Sequence, residues 1–129
     1  MPVSREFRGR VLIVRTTGPY TNEELERAFR DAPREPEFRP GTPVLVDGRL
    51  SEAALTPSDT RWRIGLLEEL PALGFARHFA LMIRRGDPLR FGLARQLSLS
   101  VEASGIELRV FDDEQAAIEW LASRSPSAG

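Results

Sequence analysis

Residues 43 to 58 read PVLVDGRLSEAALTPS, and the reading of this stretch decides the fold. Val44-Leu45-Val46 is a continuous apolar run with two β-branched residues, the pattern of a strand covered on both faces. Asp47-Gly48-Arg49 reads as a loop leaving that strand. Thr56-Pro57-Ser58-Asp59 then reads as a helix start. It has a capping hydroxyl, a proline at the first helical position where no N–H is missed, and an acid beside the positive end of the helix dipole. A buried strand that passes into a helix is half of a β-α-β unit, because parallel neighbours need a crossover between them.

Upstream, Val3 and Phe7 alternate weakly, and Arg8-Gly9 turns the chain into a stronger strand from Arg10 to Thr17. Its core, Val11-Leu12-Ile13-Val14, again suits a strand buried on both faces, so the chain opens with a hairpin. Gly18-Pro19 stops the strand. Thr21 and Glu24 have capping-box spacing, and Leu25, Ala28, Phe29 and Ala32 form one apolar stripe of a helix that Pro33 ends. Pro33 to Pro43 holds four prolines and a glycine, an irregular connection anchored by Phe38.

Downstream, Trp62, Leu66, Leu70 and Leu73 recur at helical spacing with Leu67 beside them, until Pro71 and Gly74 end the helix. Phe75 to Arg84, with Phe79-Ala80-Leu81-Met82-Ile83 at its centre, reads as a further buried strand. Gly86-Asp87-Pro88 caps a helix whose face carries Leu89, Leu93, Leu97 and Val101, stopped at Gly105. Ile106 to Phe111 alternates as the last strand. Asp112 and Gln115 have capping-box spacing ahead of a helix buried through Ala116, Ala117, Trp120 and Leu121. The expected architecture is α/β: one domain over residues 1 to 122, with a mixed, mainly parallel sheet of four or five strands, an N-terminal antiparallel hairpin and about four helices. Ser123 to Gly129 reads as a mobile polar tail.

Composition narrows the function classes. A chain of 129 residues, 41% hydrophobic, supports one core of ordinary size. Without cysteine there is no disulfide, thiolate nucleophile or cysteine-ligated zinc, and the N-terminus lacks the apolar run of a signal peptide, so a cytoplasmic location is expected. All eighteen basic residues are arginine, yet the formal charge is −1, which argues against nucleic-acid binding. No apolar stretch approaches a membrane span, so no membrane insertion is expected. No phosphate loop, dinucleotide fingerprint or nucleophile elbow is present, and the one histidine, His78, has no catalytic motif around it and reads as a surface or edge residue. The reading is therefore non-enzymatic, with no cofactor and no metal.

Three phrases carry a family resemblance: Gly18-Pro19-Tyr20-Thr21, Pro43 to Arg49, and Val110-Phe111-Asp112-Asp113-Glu114-Gln115-Ala116 with Trp120-Leu121. Over residues 3 to 122 the chain resembles the SpoIIAA-like, or STAS-like, group of small bacterial domains. The resemblance implies a compact α/β module that acts through protein contacts, in some members switched by phosphorylation, as in anti-sigma-factor antagonists. There the switching serine follows the central strand in an Asp-Ser-Ser/Thr-Gly type of motif. Here Asp47 is followed by Gly48-Arg49-Leu50, so the motif is not matched.

The hydroxyls nearest that position, Ser51, Thr56 and Ser58, are the candidate phosphoacceptors, although capping alone accounts for a hydroxyl at a helix start. Asp47, Arg49, Arg85 and Arg90 are the candidate ligand or partner contacts, because open α/β sheets bind at the carboxyl ends of their strands. Asp47 and Arg49 read equally as an ion pair bracing Gly48. Arg77, Arg84, Arg85, Arg90 and Arg95 stand against a single Asp87, whereas residues 102 to 119 hold six acids and one arginine, two stretches able to neutralise each other. The expected function is a regulatory bacterial module working by protein–protein interaction, with a homo-oligomer left open. The alternative is a carrier or sensor of a small anionic or apolar ligand, with a cavity of about 300 Å³ or more into which Arg49 or Arg90 points.

Overall fold

In the computed structural model, residues 2–52 and 56–124 are described. They form β1 (Val3–Arg8), β2 (Val11–Gly18), α1 (Asn22–Asp31), β3 (Thr42–Ser51), α2 (Pro57–Glu69), β4 (Phe75–Met82), α3 (Pro88–Glu102), β5 (Glu107–Phe111) and α4 (Glu114–Arg124). Single 3₁₀ turns, Ala32–Arg34 and Leu70–Leu73, continue α1 and α2 at the prolines. The expected α/β architecture is present. One sheet runs in the order β1-β2-β3-β4-β5, with β1 antiparallel to β2 and every other pair parallel.

Helix starts form where their local chemistry places them. Thr21 with Glu24 and Thr56 with Asp59 make complete capping boxes, and the Asp87 side chain accepts from the Arg90 N–H ahead of Pro88. The last cap differs from expectation. Asp113, not Asp112, accepts from the backbone N–H of Ala116, so α4 starts one residue later. Asp112 instead pairs with Arg85 at 3.1 Å. Gly74 ends the α2 segment at φ 108°, where a Cβ would meet the Phe38 ring at 3.1 Å, so glycine is needed on both counts.

The two sheet faces carry separate cores. Leu12, Val44, Phe79 and Leu108 lie side by side across β2 to β5 and pack under α1, α2 and α3 through Phe29, Leu66, Leu70 and Val101. On the opposite face Val11, Ile13, Leu45, Ala80 and Met82 meet only α4, through Ala117 and Leu121. α4 continues through Ser123 and Arg124, past the expected start of the tail, and the remainder of that tail, residues 125 to 129, lies outside the described residues. Leu89 departs from its expected face. It is 72% exposed in the first turn of α3, and burial begins farther along, at Ala94 and Val101.

Because α4 alone seals one face, Leu121→Ala should cost about 2–5 kcal/mol in urea denaturation through the cavity it leaves. Thr21→Ala, which removes only a cap, should cost about 1 kcal/mol. A smaller loss at Leu121 than at Thr21 would contradict this placement of α4.

Candidate functional site

The carboxyl ends of β2, β3 and β4, with the first turns of α2 and α3, form one rim of the sheet. β3 is longer than the sequence suggests, because Gly48, Arg49, Leu50 and Ser51 continue the strand and are not a loop. Arg15 pairs with Asp47 and Thr17 with Leu50, so β3 spends two residues, Gly48 and Arg49, where β2 spends Thr16 alone. This bulge shifts the alternation of side chains. Asp47 and Arg49 fall on the α4 side, while Gly48 and Ser51, three apart, both border a cavity on the α2–α3 side.

On the α4 side the charges close upon one another. Arg49 grips Asp47 twice, Nε to Oδ1 and Nη2 to Oδ2, each at 2.9 Å, and the Arg49 backbone N–H donates to the same carboxylate at 3.2 Å. Arg15 Nη1 donates to Asp47 at 2.6 Å and to Glu114 at 3.0 Å. Glu114 also accepts from Arg8, and Glu6 accepts from Arg15 at 3.0 Å. Burial is the largest influence on Asp47, which is 7% exposed, and it opposes ionisation. The bonds from Arg49 and Arg15 together outweigh it and hold the carboxyl below its ordinary value of 3.8. Burial likewise opposes ionisation of Glu114, and Arg15 and Arg8 overcome it. The cluster thus adopts the bracing arrangement for Asp47 and Arg49. Sequence reasoning missed Arg15 and Glu114, whose partnerships span 32 and 99 residues. The one available signal was an arginine directly after the apolar run of β2.

On the other side, a cavity of about 70 Å³ lies between the sheet, α2 and α3. Val46, Leu81, Leu93 and Leu97 supply apolar lining, and Arg63 and Arg90 are its charged lining residues. Arg63 donates to the Tyr20 hydroxyl at 2.6 Å and stacks on that ring, with its guanidinium carbon 5.5 Å from the centroid. Its Nε–H is buried with no hydrogen-bond partner among the described residues. Arg90 pairs with Asp87 at 3.3 Å and borders this cavity, whereas Arg49 borders a separate groove of about 310 Å³ together with Arg15, Asp47 and Leu50.

The other candidates scatter around this rim. Ser51 is 4% exposed, and its carbonyl accepts from Arg84 at 3.5 Å. The Thr56 hydroxyl accepts from the Asp59 N–H, while Ser58 is exposed in the first turn of α2. Arg85 reaches Asp112, so part of the basic stretch does neutralise the acidic one. His78 corrects its reading as a surface or edge residue. It is 9% exposed in β4, with β3 and β5 on either side and the Trp120 ring of α4 edge-on at 6.1 Å. Desolvation lowers its pKa below 6.5; Glu107 opposes this, Arg124 reinforces it, and a hydrogen bond with the Leu121 backbone again opposes it.

No family model and no curated protein matches this chain. Among solved structures it is similar to an uncharacterized protein of the DUF3478 family from Shewanella loihica, described as having a SpoIIAA-like fold. The TM-score is 0.58 at 17% identity, over 92% of this chain and 91% of that one. The chain therefore has a SpoIIAA-like fold. Among the described residues no helix is long and apolar enough to cross a membrane.

The depressed groups give acid sensitivity a defined order. His78 contributes stability that is complete above 6.5, its ordinary pKa, and is lost as pH falls toward its lower folded value. Asp47 and Glu114 contribute in full above 4.5 and lose it below, because their folded values lie under 3.8 and 4.5. Urea midpoints should fall from about pH 7 to about pH 5, and His78→Gln should flatten that limb while leaving the steeper loss below about pH 4. An unchanged slope in the variant would remove His78 as its source. At pH 7, Asp47→Asn should cost about 1–3 kcal/mol.

Proposed function

We propose that this chain is a non-enzymatic regulatory module of a bacterial cytoplasm that binds a protein partner through the rim where β3 leads to α2 and β4 to α3. The observation that carries the reading is apolar exposure. Among the described residues only three large hydrophobics are strongly exposed, and two of them, Leu50 at 66% and Leu89 at 72%, stand on this rim. Exposed apolar groups set among charges are what a partner surface uses. The arginine clasp on Asp47 and Glu114 supports the same reading, because carboxylates held ionised by several donors are poorly suited to proton transfer near neutrality.

The carrier reading has two observations in its favour, the cavity bordered by Arg63 and Arg90 and a groove of about 310 Å³ bordered by Arg15, Asp47 and Arg49. The cavity's 70 Å³ falls well short of the roughly 300 Å³ at which drug-sized ligand sites begin, and in the groove Arg49 is already turned onto Asp47, which favours the partner. Among the hydroxyl candidates, Thr56 and Ser58 are exposed and Ser51 is buried, and the Thr56 hydroxyl is engaged with Asp59 in the capping box, which favours Ser58 as the site of any phosphorylation.

Affinity purification from the native cells, with intact-mass analysis of the recovered protein, tests this. A stoichiometric protein should accompany the wild type and be lost from Leu50→Arg and Leu89→Arg, with stability changed by no more than about 0.5 kcal/mol. Recovery of a bound small molecule and no protein would replace this reading with the carrier. A phosphoryl adduct, if present, should map to Ser58 ahead of Thr56, and one at Ser51 would contradict the burial found there.

A further inference from the structure

We infer that the cavity between the sheet, α2 and α3 receives one apolar side chain from an acidic segment of the partner; this rests on the partner reading above and specifies its chemistry. Size argues for a single side chain. A water needs roughly 10–15 Å³ on the same measure, so 70 Å³ holds about five waters, or the atoms of one leucine or phenylalanine side chain. The lining argues for an apolar group, since Val46, Leu81, Leu93 and Leu97 would surround it. A side chain seated in a well-packed, desolvated pocket is how a small number of residues comes to dominate an interface.

Charge argues for acidic flanks. Among the described residues two arginines and no carboxylate line the cavity. Arg63 gives a bond to the Tyr20 hydroxyl and to no carboxylate among the described residues, so it retains most of its charge, although Asp59 lies close enough to feel it. Arg84, at the same strand ends, donates to the carbonyls of Arg49 at 3.0 Å and Ser51 at 3.5 Å and not to an acid. Arg90 is ion-paired with Asp87 and contributes less. Carboxylates bind guanidinium groups in strong, charge-assisted bonds.

Extent argues for a segment of protein and not a free acid. Leu89 directly precedes the lining residue Arg90 and is exposed, so whatever covers the cavity mouth has further apolar surface to cover on the α3 side. A molecule small enough for the cavity leaves Leu89 in water, whereas Leu50 stands on the other face of β3 beside Asp47 and Arg49.

The test uses dye-labelled, end-blocked peptides with Leu, Ala or Ser at a central position and Glu, Gln or Arg at the flanks, titrated against the full chain by fluorescence anisotropy. With Glu flanks, Leu should bind roughly 10- to 100-fold more tightly than Ser. Arg63→Gln should weaken Glu-flanked peptides about tenfold and leave Gln-flanked ones unchanged. Ala94→Leu, which places methyl groups in the cavity, should erase the preference for Leu over Ser. If Ala94→Leu fails to fold, as judged by its melting transition, the half-buried Arg63 carries the test. Affinity indifferent to the central residue, or equal for Glu and Arg flanks, overturns the inference. If the native partner is retained by folded Ala94→Leu yet lost from Leu50→Arg, the cavity is not the anchor and the partner reading survives. If no native partner is recovered, the partner reading itself fails.

Discussion

In the parallel part of this sheet each strand's neighbour is the next strand in the chain. Three crossovers therefore step in the same direction, and with a constant hand they deliver α1, α2 and α3 to the same face. No helix that joins two strands can cover the other face. That task falls to α4, which follows β5 and folds back across Leu45, Ala80 and Met82. The asymmetry sets what each face tolerates. The helix-rich face is apolar from Val3 to Leu108, whereas the α4 face is apolar only beneath Ala117 and Leu121 and turns charged toward the strand ends.

The ionic cluster sits where that cover runs out. Side chains on one face of a sheet stand close together, so a charge at the strand end is partly desolvated by its neighbours and needs a counter-charge there. Arg15 and Asp47 are register partners on adjacent strands, and Glu114 in the first turn of α4 is delivered onto the same arginine. Glu114 also benefits from the positive end of its helix. The result ties the start of α4 to β1 through Arg8 and to β3 through Arg15. A surface ion pair alone stabilises little; here one partner is buried and the donors are shared, so the pairs act as a unit.

What the sequence reveals divides along the same physical line. Capping boxes, the proline at the first position of a helix and the glycine after it are chemistry within four residues, so Thr21, Thr56, Asp87 and Gly74 could be read directly. Strand identity was legible from Val11 to Val14 and Val44 to Val46 because both faces are buried. The bulge was not legible. Asp-Gly-Arg is ordinary loop composition, and only the pairing of Arg15 with Asp47 and of Thr17 with Leu50 on either side shows it to be strand. Nor could His78 be placed, since its burial depends on α4 returning from 42 residues downstream, where Trp120 closes over it. Of the candidate contacts, Asp47 and Arg90 were found at the rim from position alone, while Arg15, Arg63 and Glu114 were invisible because their roles exist only across the assembled sheet.

The bulge has one more consequence. It leaves Asp47 and Arg49 on the brace side and brings Ser51, three residues beyond Gly48, to the cavity side with it. In the domains whose sequence phrases this chain resembles, the residue after the strand-end aspartate belongs to the motif that bears the switching hydroxyl. A glycine stands there now, and a Cβ at Gly48 would lie 3.4 Å from the Met82 carbonyl oxygen and 3.8 Å from Thr16 Oγ1. These are ordinary contacts, so a Cβ fits there, and a longer side chain would extend from the strand beside the cavity that Gly48 borders. Omitting the side chain keeps that space. At this strand end residue 48 thus supplies cavity lining and no hydroxyl of its own.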